Sequence, residues 1–100
     1  MRLGTFEYTM LAAIIRIGDG AYGMNVQQEI ARRTGRTPTV GALYATLDRL
    51  QSKGLVTSWL GEITPRKGGR AKRFFSITDS GEKAVMGFEN AIRSMQLEYA

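Results

Sequence analysis

The residues most suited to chemistry are five bases within eight positions of the second half of the chain. They surround a glycine pair, Gly68 and Gly69, and no acid lies among them: Arg66, Lys67, Arg70, Lys72 and Arg73. This charge density around a flexible tip suits a nucleic-acid backbone or minor groove. The plainer alternative is a solvated charge run that protects a strand edge, but one or two lysines usually suffice there. We therefore expect these bases to contact a polyanion.

The net charge supports that expectation because it is unevenly distributed. The chain of 100 residues carries +5 in total. Residues 79–100 hold four acids and two bases, a net −2, which leaves +7 on residues 1–78. The basic part therefore precedes the last segment of the chain.

The residue types argue against an enzyme and against a metal centre. The chain has no cysteine and no histidine, so the commonest nucleophile, general base and metal ligands are missing. The acids are scattered, and the glycine pair lacks the strand–loop–helix setting of a nucleotide site. We expect no catalytic residues, no metal and no cofactor.

Hydrophobic periodicity and turn signals predict the elements that position the bases. The pattern predicts one domain of four helices and one hairpin: helices at 5–17, 23–34, 39–53 and 79–98, and strands at 55–63 and 73–78. Thr5 and Thr78 stand where helix caps are expected, and Pro38 and Thr39 are predicted to open the third helix. In the third helix, Val40, Leu43, Leu47 and Leu50 are predicted to face inward.

The order of helix, helix, helix, hairpin and helix is that of a winged helix-turn-helix, a mainly α fold with a small β-hairpin. We expect residues 1–78 to form the DNA-binding domain. Residues 79–100 are expected to form a C-terminal dimerisation helix, the whole being one compact unit.

The third helix is the candidate recognition helix. Small outward residues near its start let a helix approach the major groove closely. The predicted DNA contacts in and before this helix are Thr37, Thr39, Gly41, Ala42, Tyr44, Ala45 and Arg49. An ordinary surface helix has the same pattern, and the basic hairpin is what favours nucleic acid.

The last helix carries an apolar seam that could bind a second copy. The seam consists of Val85, Phe88, Ile92, Met95 and Tyr99. Packing on its own domain is the alternative, but the three preceding helices already have enough apolar faces to close a core. A homodimer would bury the seam and match the two-fold symmetry of an operator.

Trp59, the single tryptophan, is interpreted as a packing residue of the first strand and is assigned no function.

Several short motifs together resemble the PadR-type transcriptional regulators. The run Gly41-Ala42-Leu43-Tyr44, with Leu47, Leu50 and Lys53-Gly54-Leu55-Val56, is similar to their recognition helix. Further matches are Ala21-Tyr22-Gly23, Gly68-Gly69-Arg70, Phe74-Phe75, and Ile77-Thr78 with Gly81. The resemblance covers almost the whole chain.

The resemblance implies a bacterial-type winged-helix repressor that dimerises through its C-terminal helix and binds an inverted-repeat operator. It places Tyr44 and the start of its helix at the major groove, and the basic wing at the backbone or minor groove. A small-molecule effector is possible but is not indicated by the residues.

The apolar runs of the sequence bear on the location of the protein. The longest apolar run near the start, residues 10–15, is too short to cross a bilayer, and we expect a cytoplasmic protein with no membrane partner.

The leading alternative function is a winged-helix module that binds protein without specific DNA binding. A small enzyme is the weaker alternative, for want of histidine and cysteine.

Overall fold

The computed structural model describes residues 3–61 and 71–97, and within them the chain forms four helices and a two-stranded antiparallel sheet. In chain order the elements are α1 (Thr5–Ile17), α2 (Gly23–Thr34), α3 (Val40–Ser52), β1 (Val56–Leu60), β2 (Arg73–Ile77) and α4 (Asp79–Ser94). Their types and order confirm the predicted winged helix-turn-helix. The ends differ slightly, since β1 is shorter than predicted and α4 ends at Ser94 rather than at 98.

Threonine hydroxyls fix the start of two helices. Thr39 Oγ1 accepts a hydrogen bond from the Ala42 amide at 3.1 Å, and Thr78 Oγ1 accepts one from the Gly81 amide at 3.0 Å. Each bond satisfies an amide that has no partner inside its helix. The starts of α3 and α4 are therefore determined locally: the cap at Thr78 is the predicted one, whereas Thr39 is the N-cap of α3 rather than its first residue.

One apolar core joins all the elements, and α1 contacts α2, α3, α4 and β2. The largest fully buried side chains are Met10, Leu11, Ile14, Val26, Leu43, Leu47, Leu50, Leu55, Val56 and Phe75. Val40 was predicted to face this core but is 52% exposed, because it is the first residue of α3. Within residues 3–61 and 71–97, no helix combines the length and the apolar content that crossing a bilayer requires.

The hairpin is attached to the helix-turn-helix by backbone contacts. The Phe75 amide donates a hydrogen bond to the Ala21 carbonyl at 2.8 Å, and Tyr22 forms an antiparallel bridge with Phe74. The segment before α2 thus acts as a short third partner of the sheet. This attachment sets the direction in which the hairpin leaves the core.

The first half of α4 belongs to the same core. Thr78 Oγ1 donates to the Gly54 carbonyl at 2.7 Å, and a Cβ at Gly81 would overlap the Leu55 carbonyl. Val85 is only 7% exposed. Glycine at position 81 therefore allows the helix to lie directly on the backbone that leads into β1.

Further along, α4 is held against α1 by an aromatic stack and a hydrogen bond. The rings of Tyr8 and Phe88 are 4.5 Å apart and nearly parallel, and Tyr8 Oη donates to Glu89 Oε2 at 2.6 Å. The hydrogen bond to Glu89, together with burial, raises the pKa of Tyr8. The phenol is therefore kept in the protonated form that can donate this bond.

A buried carboxylate joins the start of α1 to the end of α3. Glu7 accepts hydrogen bonds from the Gly4 amide at 2.9 Å and from Lys53 Nζ at 2.6 Å, and Arg49 Nε lies 3.4 Å away. The predicted cap at Thr5 is wrong, since Gly4 is the N-cap and Thr5 is the first helical residue. Burial raises the pKa of Glu7, but the Gly4 bond and the two cations outweigh it and hold the pKa below its usual 4.5.

We expect Glu7→Gln to lower the free energy of unfolding by about 1–2 kcal/mol at neutral pH. The loss is modest because the two cations left behind are partly solvated. Since the folded-state pKa of Glu7 is lowered, its contribution is present above the unfolded value of 4.5 and is lost as pH falls through the folded-state value. Urea unfolding over a range of acidic pH should show the two proteins converging.

The control for this prediction is Glu29→Gln. The Glu29 carboxylate pairs with Arg32 and Arg33 of its own helix, so it joins no two elements. This variant should lose less stability than Glu7→Gln. A gap between wild type and Glu7→Gln that stays constant at every pH would contradict the role of the charge.

Candidate nucleic-acid interface

The turn between α2 and α3 is held in a defined conformation. Gly35 ends α2 with a φ of 75°, in the left-handed region that glycine adopts without strain. Gln27 Nε2 donates to the Pro38 carbonyl at 2.8 Å, just before Thr39 caps α3. The first turn of α3 is thereby presented to the surface in a fixed orientation.

The exposed side of α3 carries small side chains near its start. Of the predicted contacts before and in the first turns of α3, those that lie exposed are Thr37, Thr39, Gly41, Ala42 and Ala45; Arg49, also exposed, lies one turn further along. A Cβ at Gly41 would meet nothing within 4 Å. No long side chain of this group stands between the helix and a partner, which suits close approach to a major groove.

Tyr44, a predicted DNA contact, does not project freely from α3. It is half-buried, and its ring packs against the core. A Cβ at Gly23 would overlap the Tyr44 hydroxyl, so this ring lies directly on the first turn of α2. The hydroxyl therefore sits at the junction of α2 and α3, and the glycine at position 23 makes room for it.

Most of the predicted wing contacts cannot be placed. Arg66, Lys67, Gly68, Gly69 and Arg70 lie outside the described residues. Lys72 is described: it is exposed, and its Nζ lies 4.2 Å from the centre of the Tyr22 ring. This cation–π contact holds the base of the wing near the start of α2.

Arg73 connects the hairpin to α3. Its guanidinium donates to Asp48 Oδ1 at 2.9 Å, to Gln51 Oε1 at 2.7 Å and to Ser58 Oγ at 3.2 Å. It also lies 4.9 Å from the centre of the Phe75 ring. These partners occupy its donors, so its observed role is to position the wing against α3.

Ion pairs decide which bases near the interface are neutralised. Glu7 pairs with Lys53 and Arg49, Glu29 with Arg32 and Arg33, and Asp48 with Arg73. Arg49, a predicted DNA contact, is thus engaged with a buried acid. Two other bases near the interface form no ion pair within residues 3–61 and 71–97: Arg36, just before α3, and Lys72, at the base of the wing.

Arg36 is the base that the sequence analysis missed. It is exposed in the turn that leads into α3, next to the predicted contact Thr37. The signal available in the sequence was its position just before the Pro38-Thr39 helix start. Arg36 therefore adds unpaired positive charge at the start of α3, and Lys72 adds it at the base of the wing.

The structure separates the predicted dimer residues into two groups. Val85 is buried in its own core, and Phe88 is half-buried against Tyr8. Ile92 and Met95 are 52% and 79% exposed, while Tyr99 lies outside the described residues. The apolar surface available to a partner is therefore the last turn of α4 and the residues that follow it, where Leu97 is also exposed.

The described residues offer no metal site: nowhere in them do three or more carboxylates cluster as metal ligands would. Since the whole chain also lacks cysteine and histidine, its chemistry at this surface consists of hydrogen bonding, charge and shape. Those are the means by which proteins bind a duplex.

Comparisons with known proteins agree with this geometry. The family described as transcriptional regulator PadR-like matches residues 10–86. Among solved structures, a PadR family transcription regulator from Clostridium difficile is 21% identical, with 92% of this chain and 91% of that chain covered and a TM-score of 0.75.

Two other structures are similar. A PadR-like transcription factor from Bacteroides fragilis is 20% identical over 92% of this chain and 84% of that chain, with a TM-score of 0.76. A winged-helix DNA-binding protein from STIV is 17% identical over 100% of both chains, with a TM-score of 0.74. At these identities the structures show a shared fold. No curated protein matches the chain.

The close approach of Tyr44 to α2 gives a test of the interface geometry. We expect Gly23→Ala to lower the free energy of unfolding by about 1–3 kcal/mol, because the new methyl group displaces the Tyr44 ring. In a Tyr44→Ala background the same substitution should cost little, since the overlap is gone. Thermal unfolding of the four proteins in this cycle measures the effect.

Gly41→Ala is the matched control, in the first turn of α3 with open space around it. It should leave stability unchanged or raise it by up to about 1 kcal/mol. Equal effects of Gly23→Ala in both backgrounds would show that Tyr44 does not require glycine at position 23.

Proposed function

The chain belongs to the PadR-like family of transcriptional regulators, and we propose that it represses transcription by binding a specific double-stranded DNA sequence as a homodimer. Members of this family are regulators rather than enzymes, which agrees with a chain that has neither histidine nor cysteine. The proposal concerns the finer points: the sequence specificity, the dimer and the direction of regulation.

The observation that carries the proposal is the exposed, small-residue start of α3 with the unpaired base Arg36 beside it. In the proposed complex α3 enters the major groove through Thr39, Gly41, Ala42 and Ala45. Small residues at this position let the helix backbone approach the base edges. Thr37 and the Tyr44 hydroxyl, at the junction with α2, would contact phosphates.

The wing would contact the sugar–phosphate backbone or the minor groove. Lys72 supports this because it is exposed and has no acid partner among the described residues. The remaining contacts are proposed from the sequence: Arg66, Lys67, Gly68, Gly69 and Arg70. We assign Arg73 and Arg49 supporting roles, since Asp48 and Glu7 hold their side chains.

The dimer is proposed from the distal part of α4. Ile92, in the last turn of α4, and Met95 and Leu97, just after it, are exposed apolar side chains, while the first half of the helix is packed on its own domain. Burying such a stripe against its two-fold mate is favourable and would place two α3 helices on one face of the DNA. On this proposal residues 1–78 read DNA and residues 79–100 join the protomers; Tyr99, outside the described residues, is included from its spacing in the sequence.

The protein would act in the cytoplasm, where the DNA is, and would need no cofactor. We propose repression rather than activation because a bound dimer can block a promoter by occupancy alone. A helix-turn-helix surface that binds protein instead remains the alternative, and the experiment below distinguishes the two.

The direct test is to select bound sequences from a random pool of duplex DNA at one stated salt concentration. We expect an enriched inverted repeat, because two symmetry-related α3 helices read two half-sites about one helical turn apart. The variant Ile92→Glu should lose the dimer, as measured by analytical ultracentrifugation, and should bind the full repeat far more weakly.

Ser94→Glu is the control, since it adds the same charge two residues away at an exposed polar position of α4. It should keep both the dimer and the enriched repeat. If the wild-type protein enriches nothing and does not bind bulk duplex at low salt, the regulator proposal fails and the protein-binding alternative replaces it.

The two unpaired bases should act on every DNA sequence alike. We expect Lys72→Ala and Arg36→Ala each to weaken binding to all duplexes and to lower the slope of log affinity against log salt by about 1 per lost phosphate contact. Fluorescence anisotropy over a series of salt concentrations measures both quantities.

Lys83→Ala is the control, an exposed base on α4 away from this surface; its slope should equal that of wild type. Ala45→Ser should instead change which sequences are preferred while keeping the salt slope. A wild-type slope for both Lys72→Ala and Arg36→Ala would remove these bases from the interface.

A further inference from the structure

The fold leaves apolar side chains at the surface where α3 begins. Val40 is the first residue of α3 and is 52% exposed. Ala42 and Ala45, within the first two turns, are exposed as well. A Cβ at Gly41 would meet open space. The start of α3 therefore presents the methyl groups of three apolar side chains around a glycine.

Helical geometry places these side chains around the part of α3 that is most accessible to a partner. Successive residues of an α-helix are turned by about 100° around its axis. Val40 and Ala42 therefore lie on opposite flanks of Gly41, and Ala45 lies one turn further along from it. In a helix-turn-helix complex, the first residues of the recognition helix are those that contact base edges. The methyl groups would thus line the part of α3 that meets the bases.

The side chains that pair with guanine or adenine through two hydrogen bonds are scarce in α3. They are arginine, lysine, asparagine and glutamine, and α3, which the structure describes throughout, contains only Arg49 and Gln51 of these types. Arg49 lies 3.4 Å from the buried Glu7 carboxylate, and Gln51 Oε1 accepts a hydrogen bond from Arg73. Asp48, the acid of this helix, also pairs with Arg73. Both residue types therefore stand in the second half of α3 and are engaged with other elements.

The two hydroxyl groups at the start of α3 also have contacts within the protein. Thr39 Oγ1 accepts a hydrogen bond from the Ala42 amide at 3.1 Å. The Tyr44 hydroxyl lies over Gly23 of α2. What the start of α3 offers to a base edge is therefore mainly apolar contact surface.

Thymine is the base that such a surface distinguishes. In the major groove thymine carries a methyl group at C5, which apolar side chains such as alanine contact directly, whereas cytosine has no methyl group there. We propose that α3 recognises thymine through this methyl group, with Val40, Ala42 and Ala45 as the contacts. Val40, which is absent from the contacts predicted from the sequence, is then a specificity-determining residue.

This inference rests on the proposed DNA binding and deepens it by naming the bases that are recognised. Each half-site of the operator is expected to carry thymines, on either strand, where the first two turns of α3 enter the groove. Because the contact is made to the methyl group, a 5-methylcytosine at such a position should bind better than an unmodified cytosine.

A protein partner fits this surface less well. Stable protein interfaces bury about 800 Å² on each partner, and the exposed apolar side chains here are one valine and two alanines. Arg36, the unpaired base just before α3, favours a polyanion. The surface is therefore matched to a few methyl groups within a charged groove rather than to the face of another protein.

The test compares selections from two random duplex pools that differ in a single base. One pool contains thymine, and the other contains uracil in its place, which pairs with adenine in the same way but lacks the methyl group at C5. We expect an inverted repeat with T·A pairs in both half-sites to be enriched from the thymine pool. The same repeat should not be enriched from the uracil pool.

Single substitutions in the enriched duplex measure each contact by fluorescence anisotropy at one salt concentration. Replacing one contacted thymine by uracil should weaken binding about fourfold, the effect of losing one buried methyl group. Changing cytosine to 5-methylcytosine at a contacted position should strengthen binding by the same factor. Uracil in the spacer between the half-sites is the control, and it should have no effect, which separates a lost contact from altered DNA flexibility.

The variant Val40→Ala assigns one contact to its residue. Because Val40 is exposed at the helix end, the variant should keep the unfolding temperature of the wild type. It should bind the thymine duplex about fourfold more weakly, and one thymine-to-uracil substitution should then cost nothing, since that methyl group has lost its partner. Ser52→Ala is the matched control, at an exposed position in the last turn of α3. It should keep the wild-type affinity and every uracil penalty.

The proposal is overturned if the same repeat is enriched from the uracil pool, or if uracil in the spacer weakens binding as much as uracil in the half-sites. It also fails for Val40 if every uracil penalty survives in Val40→Ala. An enriched repeat that is insensitive to uracil leaves the DNA-binding proposal intact, whereas enrichment from neither pool overturns both proposals.

Discussion

The double attachment of Phe75 determines how the parts of this molecule are arranged. Its ring is fully buried among the helices, and its amide donates to the Ala21 carbonyl ahead of α2. Since side chains alternate along a strand, Arg73 lies on the same face of β2 as Phe75 and stacks over its ring. From there it reaches Asp48 on α3. A single strand register therefore ties the hairpin to the core, to the segment before α2 and to α3.

Two acids of this basic protein hold neighbouring elements together through ion pairs. Glu7 holds the end of α3 through Lys53 and Arg49, and Asp48 holds the hairpin through Arg73. These acids neutralise bases at the end of α3 and in the hairpin. Among the residues described, Arg36 is left unpaired at the start of α3 and Lys72 at the base of the wing. The pattern of ion pairs thus concentrates positive charge where the duplex is proposed to lie, rather than spreading it over the surface.

The sequence predicted the elements well because their signals are local. Thr39 and Thr78 cap their helices within three residues, and the helical spacing of Leu43, Leu47 and Leu50 reports directly on burial. Val40 follows the same spacing but stands at the helix end, where the core no longer reaches. Periodicity contains no information about where a core stops.

The site was predicted less completely because its details depend on long-range contacts. Arg73 and Asp48 are 25 residues apart, and nothing in the spacing shows that they meet. Glycine at position 23 matters only because the Tyr44 ring lies on it. Trp59 was interpreted as packing, and it does stack near Phe74 at 6.0 Å, yet about half of it remains exposed where α1, the hairpin and α4 meet. The two strands of the hairpin thus differ in role: β2 directs Arg73 towards α3, whereas β1 carries Trp59 on the side that faces α1 and α4. Neither role can be predicted from the strand pattern, because each depends on which helix the finished fold places beside the strand.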